Sequence, residues 1–439
     1  MRATVLISEY LVYVPAAVVL NRKLSRSRGV SKWESSIALV AILMQPSIIL
    51  IDHAHFQYNT VMLGFLLASI SSLFAGRNLW ACVFFVSALC FKQMALYYAP
   101  AMFAYLFGIC VDPTLNLRRF LAIATVTIFT FAAIFAPLLL GALYDNYRNI
   151  APIPGLTDTP LPPLLSSLPF SADRNAWYYP PLLQLTQCIH RIFPFARGIF
   201  EDKVANLWCA FHTFHKLHDY PRDMVQQISL LFTIVSILPA SMTISLFPWK
   251  ELVPWAMAST AWGFYLFSFQ VHEKSVLLPL LPMTVMLGGD GGLSPEMRGW
   301  IGWANMLGVW TLFPLLKRDE LRVPYTVLSL LWAYLLGLPP TSLSLYTSRY
   351  TKSGLRPSTR VLHLSFYAVM LVWHALEAFV PPPKGKPDLW VVLNVLVGAA
   401  GFGICYLWCT WQLILRSRVM DEYFGWRAKM QAGELKKKQ

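Results

Sequence analysis

An all-α, polytopic bundle of transmembrane helices is the architecture this sequence dictates. Of its 439 residues 56% are hydrophobic and only 13% charged, and mean hydropathy is +0.51; a soluble domain carries about 25% charge. The apolar residues fall in runs near the length that carries a helix across a hydrocarbon core, about 17 to 25 residues. Many of the 16 Trp, 19 Tyr and 28 Phe gather near the ends of those runs, where amphipathic rings settle at the headgroups.

Taken in order, the predicted spans are Thr4 to Leu20, Glu34 to Ile51, Thr60 to Ala75, Leu79 to Phe91, Met94 to Val111 and Phe120 to Leu143. Beyond a long polar stretch come Met224 to Phe247, Leu252 to Phe269, Ser275 to Leu287, Trp300 to Leu316, Val323 to Leu338, Val361 to Phe379 and Leu389 to Leu415. That makes about thirteen, the shorter ones crossing where the bilayer thins or neighbours help. The chain divides into N-terminal spans with polar turns (1–143), one long loop (144–223), C-terminal spans (224–415) and a basic tail (416–439). The loop is rich in proline, from Pro152 to Pro181, and its second half, Cys188 to His218, regains aromatic and charged residues, as an interfacial helix would.

Charge orients the bundle. Arg22, Lys23, Arg26, Arg28 and Lys32 follow the first span, and Arg349, Lys352, Arg356 and Arg360 the eleventh; both groups belong in the cytosol. Alternation then puts Asp52 to Tyr58, Lys92, the long loop and Val271 to Lys274 on the luminal side, and the tail from Arg416 in the cytosol. The net charge of +14 is therefore topological, with no nucleic-acid face. Alternation also leaves Met1 luminal, so a first helix and first luminal loop are expected to precede it. The terminal Lys436-Lys-Lys-Gln439 fits both a dilysine retrieval signal and a plain basic tail. The 7 Cys show no ligand spacing, several lying inside apolar runs as small core residues.

Four polar clusters interrupt the pattern, all on the predicted luminal side, and ionisable groups at membrane depth are functional candidates. The first holds Asp52, His53, His55, Gln57 and Asn59. Its His-x-His spacing sends two ligands to different sides of a helix, so a hydrogen-bonding role is preferred to a metal. Lys92 and Gln93 form the second, where a snorkelling lysine is as good a reading as a functional one. The third, from Arg191 to Trp208, mixes Arg197, Glu201, Asp202 and Lys203 with aromatics, as a phosphate-holding segment or a surface helix with internal ion pairs would. The fourth, Phe269-Gln-Val-His-Glu-Lys-Ser275, packs His272, Glu273 and Lys274 into a short hairpin suited to donating to a phosphate.

The strings Leu50-Ile-Asp-His-Ala-His-Phe-Gln-Tyr-Asn59, Phe91-Lys-Gln-Met-Ala-Leu-Tyr-Tyr-Ala-Pro100, Arg191-Ile-Phe-Pro-Phe-Ala-Arg-Gly-Ile-Phe-Glu-Asp-Lys-Val-Ala-Asn206 and Phe269-Gln-Val-His-Glu-Lys-Ser275 resemble the signatures of the asparagine-linked-glycosylation glucosyltransferases of the GT-C superfamily. Within that family, Thr60-Val-Met-Leu-Gly64 and Lys203-Val-Ala-Asn206 are similar to the branch that adds the first glucose.

The resemblance implies an endoplasmic-reticulum membrane enzyme, active at the luminal face, that moves glucose from a dolichyl phosphate glucose donor to a dolichol-diphosphate oligosaccharide acceptor by one inverting displacement. A lipid-borne donor agrees with the missing nucleotide-sugar motif; no cofactor is expected. His272, Lys274 and Arg197 are expected at the donor phosphate, and Asp52, His53, His55, Gln57, Asn59, Lys92, Gln93, Glu201, Asp202 and Glu273 around the substrates. The superfamily's base is an Asp in the first luminal loop, expected upstream of Met1, so no base is assigned and activity of the chain as it stands is not expected. A non-catalytic membrane transporter or lipid-binding protein is the competing class; a transporter would place its polar residues along a path through the membrane.

Overall fold

The computed structural model describes residues 2–150, 173, 176–192, 203–289, 291–347 and 354–419, and every regular element among them is helical. Among these residues seven helices are long and apolar enough to cross a membrane, with three shorter apolar ones beside them. The chain is a multi-pass membrane protein.

The first helix, α1, runs Arg2–Ser8, widens to a π turn at Glu9–Tyr13 and continues Val14–Arg28. It stops at Gly29, whose φ of 63° is easy only for glycine. Ser31 then accepts from the Glu34 amide at 3.2 Å and starts α2, Lys32–Leu43, continued by Pro46–Ile49 and a π turn at Leu50–Phe56. The break precedes Pro46 because a proline pushes the residue before it out of helical geometry; Gln45 has ψ 115°.

The remaining helices are α3 (Asn59–Phe74), α4 (Asn78–Phe91), α5 (Ala99–Val111, led by a 3-10 turn at Gln93–Tyr98) and α6 (Leu117–Tyr147). Then come α7 (Tyr179–Ile192), α8 (Leu207–Phe214), α9 (Arg222–Leu246), α10 (Val253–Phe267), α11 (Leu277–Val285) and α12 (Pro295–Thr311). The series closes with α13 (Phe313–Arg318), α14 (Arg322–Leu336), α15 (Pro357–Phe379) and α16 (Leu389–Arg416). Within Cys188 to His218 the described residues include the end of α7 and the whole of α8. Helix α7 begins inside the proline-rich part because Pro180 and Pro181 occupy its first turn, where a missing N–H is no loss.

One core joins the two halves of the sequence. Its centre is α10, nearly all of whose residues are buried, Trp255 and Trp262 included. Long α6, about 46 Å by its 31 residues, buries only Thr130 and presents Ile128 and Phe129 outward, a lipid-facing surface.

Side-chain contacts sort the helix ends into two groups. At one end lie the C-terminal ends of α2, α4, α10, α13 and α15 with the starts of α3, α9, α14 and α16. His55 pairs with Asp319, Lys317 with Glu377 and Lys203 with Asp388, while the Trp208 indole donates to the Phe267 carbonyl at 2.7 Å. At the other end the basic last turns of α1 are tied down, Lys23 donating to the Ser71 carbonyl at 2.8 Å. The Arg416 guanidinium lies there too, 4.5 Å from the Trp255 ring centroid.

Candidate functional site

The polar end is organised around the π turn that closes α2. Its wider coil presents Asp52, His53 and His55 on different sides, and the turn ends with Phe56 at φ 76°, a conformation unfavourable to a bulky side chain. The Gln57 amide reaches back to the Asp52 carbonyl at 3.1 Å. Such turns and outliers recur at functional sites.

Asp52 is fully buried, and both carboxyl oxygens are occupied: one accepts from Asn59 Nδ2 and the other from the Thr60 amide, each at 2.6 Å. Asn59 passes the connection outward. Its side-chain oxygen accepts from Lys92 Nζ at 2.5 Å, and Lys92 also reaches Gln57 Oε1 at 3.4 Å. The first two clusters thus form one hydrogen-bonded chain, Asp52–Asn59–Lys92. Burial holds the Lys92 ammonium below the ordinary lysine range; the Asp52 carboxylate opposes that shift and the nearby positive charge of Lys274 adds to it. Lys92 and Lys274 therefore come from separate clusters to within electrostatic reach of each other, an arrangement that an anion between them would relieve.

The fourth cluster is a turn between α10 and α11 in which the Ser275 amide donates to the His272 carbonyl at 2.9 Å. His272 is exposed, and Glu273 and Lys274 are half-buried. Tyr97, from the 3-10 turn after Lys92, stacks on Phe264 with centroids 5.1 Å apart and brings its hydroxyl to Ser268 and Ser275, which fixes this turn against the second cluster. Gln93 points outward beside it, exposed.

Arg197, Glu201 and Asp202 lie outside the described residues. The segment after them packs at the same end: Lys203 is paired with Asp388, Asn206 caps α8 by accepting from the Cys209 amide at 2.9 Å, and Trp208 holds the last turn of α10.

The two histidines find partners outside the four polar clusters. His53 Nε2 is 2.5 Å from Glu9 Oε2, and His55 pairs with Asp319. Glu9 is detectable in the sequence as an acid inside an apolar run, a costly place for an unpaired charge; Asp319 sits in an ordinary-looking polar turn and carries no such signal. The divergence of His53 and His55 follows from their spacing of two on a helix, as expected.

The family model for the ALG6, ALG8 glycosyltransferases matches residues 1–158 and 164–411. The chain belongs to the ALG6/ALG8 glycosyltransferase family. Its relatives include a Schizosaccharomyces pombe protein named probable dolichyl pyrophosphate Man9GlcNAc2 alpha-1,3-glucosyltransferase, 39% identical over 415 residues, 94% of this chain and 71% of that protein. The Saccharomyces cerevisiae dolichyl pyrophosphate Man9GlcNAc2 alpha-1,3-glucosyltransferase is 40% identical over 433 residues, 94% of this chain and 72% of its own length. The enzyme of the same name from Mus musculus is 31% identical, covering 92% and 73%. Within this family the polar end just described is the candidate active site, since the signature strings that are described converge there.

Proposed function

We propose that this family member transfers glucose from dolichyl phosphate glucose to dolichol-diphosphate Man9GlcNAc2, forming an α-1,3 linkage with inversion at the luminal face of the endoplasmic-reticulum membrane. The observation that carries the reading is the convergence of two polar turns at one end of a membrane bundle: Tyr97, stacked on Phe264 with its hydroxyl at Ser268 and Ser275, holds the turn of Lys92 against the turn of His272 and Lys274. A lipid phosphate entering there keeps its chain in the bilayer while its charge meets cations and donors. The names of the relatives supply the acceptor and the linkage.

In this reaction the acceptor oxygen forms a bond to the anomeric carbon as the bond from that carbon to the phosphate oxygen breaks. The departing electron pair goes to dolichyl phosphate, and the acceptor's proton goes to a general base. His272 and Lys274, with Arg197, bind the departing phosphate, whose negative charge grows through the transition state. Gln57, Gln93 and Glu273 face the sugars, with Asn59, buried between Asp52 and Lys92, positioning the Lys92 ammonium and His53 and His55 held in place by Glu9 and Asp319. Asp52 is a positioning residue: with both oxygens engaged by Asn59 and Thr60, it is not assigned as the base. About thirteen crossings, with the basic end of α1 and the C-terminal tail in the cytosol, complete the topology.

The test uses purified full-length protein with dolichyl phosphate glucose and the lipid-linked Man9GlcNAc2 acceptor, followed by mass spectrometry for the gain of one hexose. His272→Ala is expected to lower turnover about a hundredfold, the cost of removing one donor to developing charge, with an unchanged melting temperature. Wild-type turnover by that variant removes His272 from the site, and absence of hexose gain by any form of the protein refutes the assigned reaction.

A further inference from the structure

A cavity lies on the flank formed by α12 to α15, with one end at the polar end of the bundle. It is a slot of about 410 Å³ between α14 and α15, backed by α12 and α13, with Arg322 at one end and Pro339 and Pro340 at the other. Leu330 on one lip and Leu371 on the other are 40% and 54% exposed, so the slot opens sideways into the hydrocarbon that surrounds a membrane helix pair.

Its polar groups fall into two sets. At the Arg322 end the partners are matched: Glu377 with Lys317 from outside the lining, and the Tyr325 hydroxyl with His374 Nε2 at 2.8 Å. Deeper in, Trp310 Nε1 and Ser329 Oγ have no hydrogen-bond partner among the described residues, although their side chains are only 1% and 6% exposed. An unmatched buried donor costs about 1–3 kcal/mol, and hydrocarbon has nothing to offer it. Arg322 stands at the entrance, exposed, at the start of a helix with no acidic residue in its first turn. Ser329 follows it by two helical turns, about 10 Å deeper.

These features, taken along the slot, are a cation, then two donors without acceptors, then an apolar trough. We propose that the slot binds one glycerophospholipid of the surrounding bilayer. Its phosphate accepts from Arg322, an ester carbonyl accepts from the Trp310 indole and the Ser329 hydroxyl, and one acyl chain fills the trough between α14 and α15. The volume suits the ester region and part of a single chain, and the second chain stays in the bilayer. The proposal rests on the membrane location of the bundle and not on the sugar chemistry.

The test is photolabelling of the full-length protein in detergent micelles with diazirine-bearing phosphatidylcholine or diazirine-bearing diacylglycerol, with adducts mapped by peptide mass spectrometry. Adducts on α14 and α15 are expected to favour phosphatidylcholine about tenfold, the value of one charge-assisted bond. Arg322→Ala should abolish that preference, and Ser329→Leu should reduce the adducts from both probes. Arg322 is exposed, so its replacement leaves the fold intact and keeps the test decisive if Ser329→Leu unfolds. Equal labelling by both probes in the wild type overturns the proposal, as does labelling indifferent to Arg322→Ala. So does displacement by an unlabelled polyprenyl phosphate at concentrations where unlabelled phosphatidylcholine has no effect, which would give the slot to an isoprenoid.

Discussion

Asp52 combines complete burial with two short hydrogen bonds, from the Thr60 amide and from Asn59 Nδ2, which also donates to Gln57 Oε1 at 3.1 Å. Replacing it with alanine strands the Thr60 N–H and takes one of two acceptors from the Asn59 amide group, so Asp52→Ala should destabilise the protein by about 1–3 kcal/mol, read as a lower melting temperature by intrinsic fluorescence. Asp52→Asn keeps one acceptor and should fall between the two. Lys274 is half-buried, with a side chain assigned to the donor phosphate; Lys274→Gln should raise KM for dolichyl phosphate glucose about tenfold with the melting temperature unchanged. An unchanged KM would make the Lys92–Lys274 approach a structural coincidence. At this scale the sequence reveals the candidates but not their wiring. Asp52, Asn59 and Lys92 announce themselves as polar residues at membrane depth, whereas the pairing of His55 with Asp319 depends on the folded path of a chain along which they stand 264 positions apart.

Among the elements, α3 packs on α1 so closely that a Cβ on Gly64 would stand 2.8 Å from the Tyr13 backbone. Gly64→Ala must move one helix, because backbone cannot turn aside as a side chain can, and should lower stability by about 1–3 kcal/mol. Gly141, in the lipid-facing α6, has nothing within 4 Å of the point a Cβ would occupy, and Gly141→Ala should leave the melting temperature unchanged or slightly raised. A similar loss from both substitutions would mean that glycine serves these helices by flexibility and not by close approach. The helices themselves are legible: α4 and α6, predicted as Leu79 to Phe91 and Phe120 to Leu143, are found at Asn78–Phe91 and Leu117–Tyr147. Hydropathy reports where a chain can meet hydrocarbon, so it locates such helices well. It carries no signal for the π turns at Glu9–Tyr13 and Leu50–Phe56, which depend on local coil geometry, and its absence at α7 hides a helix whose first turn is proline.

For the molecule as a whole, the two groups of helix ends predict opposite chemical accessibility. Trp33 and Tyr220 are 74% and 49% exposed, the first beside the basic turn and the second at the polar end. In sealed microsomes an impermeant maleimide should label a Trp33→Cys protein directly and a Tyr220→Cys protein only after the membrane is opened. Labelling of both from outside would break the alternation of spans. The segregation of basic turns from polar clusters is visible in the charge pattern alone, whereas the role of α10 as the enclosed centre is not, because a helix wrapped in protein and one bathed in lipid are equally apolar.

The link between His55 and Asp319 also sets a clock on biogenesis. A ribosome making roughly 5–20 residues per second needs roughly 13 to 53 seconds to add the 264 residues that separate the two, and Gln45 waits nearly as long for Asn305, 260 residues on. Through that interval the newborn α2 stands in the membrane with Gln45 and the His55 of its π turn unmatched. Nascent intermediates of this protein should therefore be natural clients for chaperones that shelter polar groups within the bilayer until the later helices arrive.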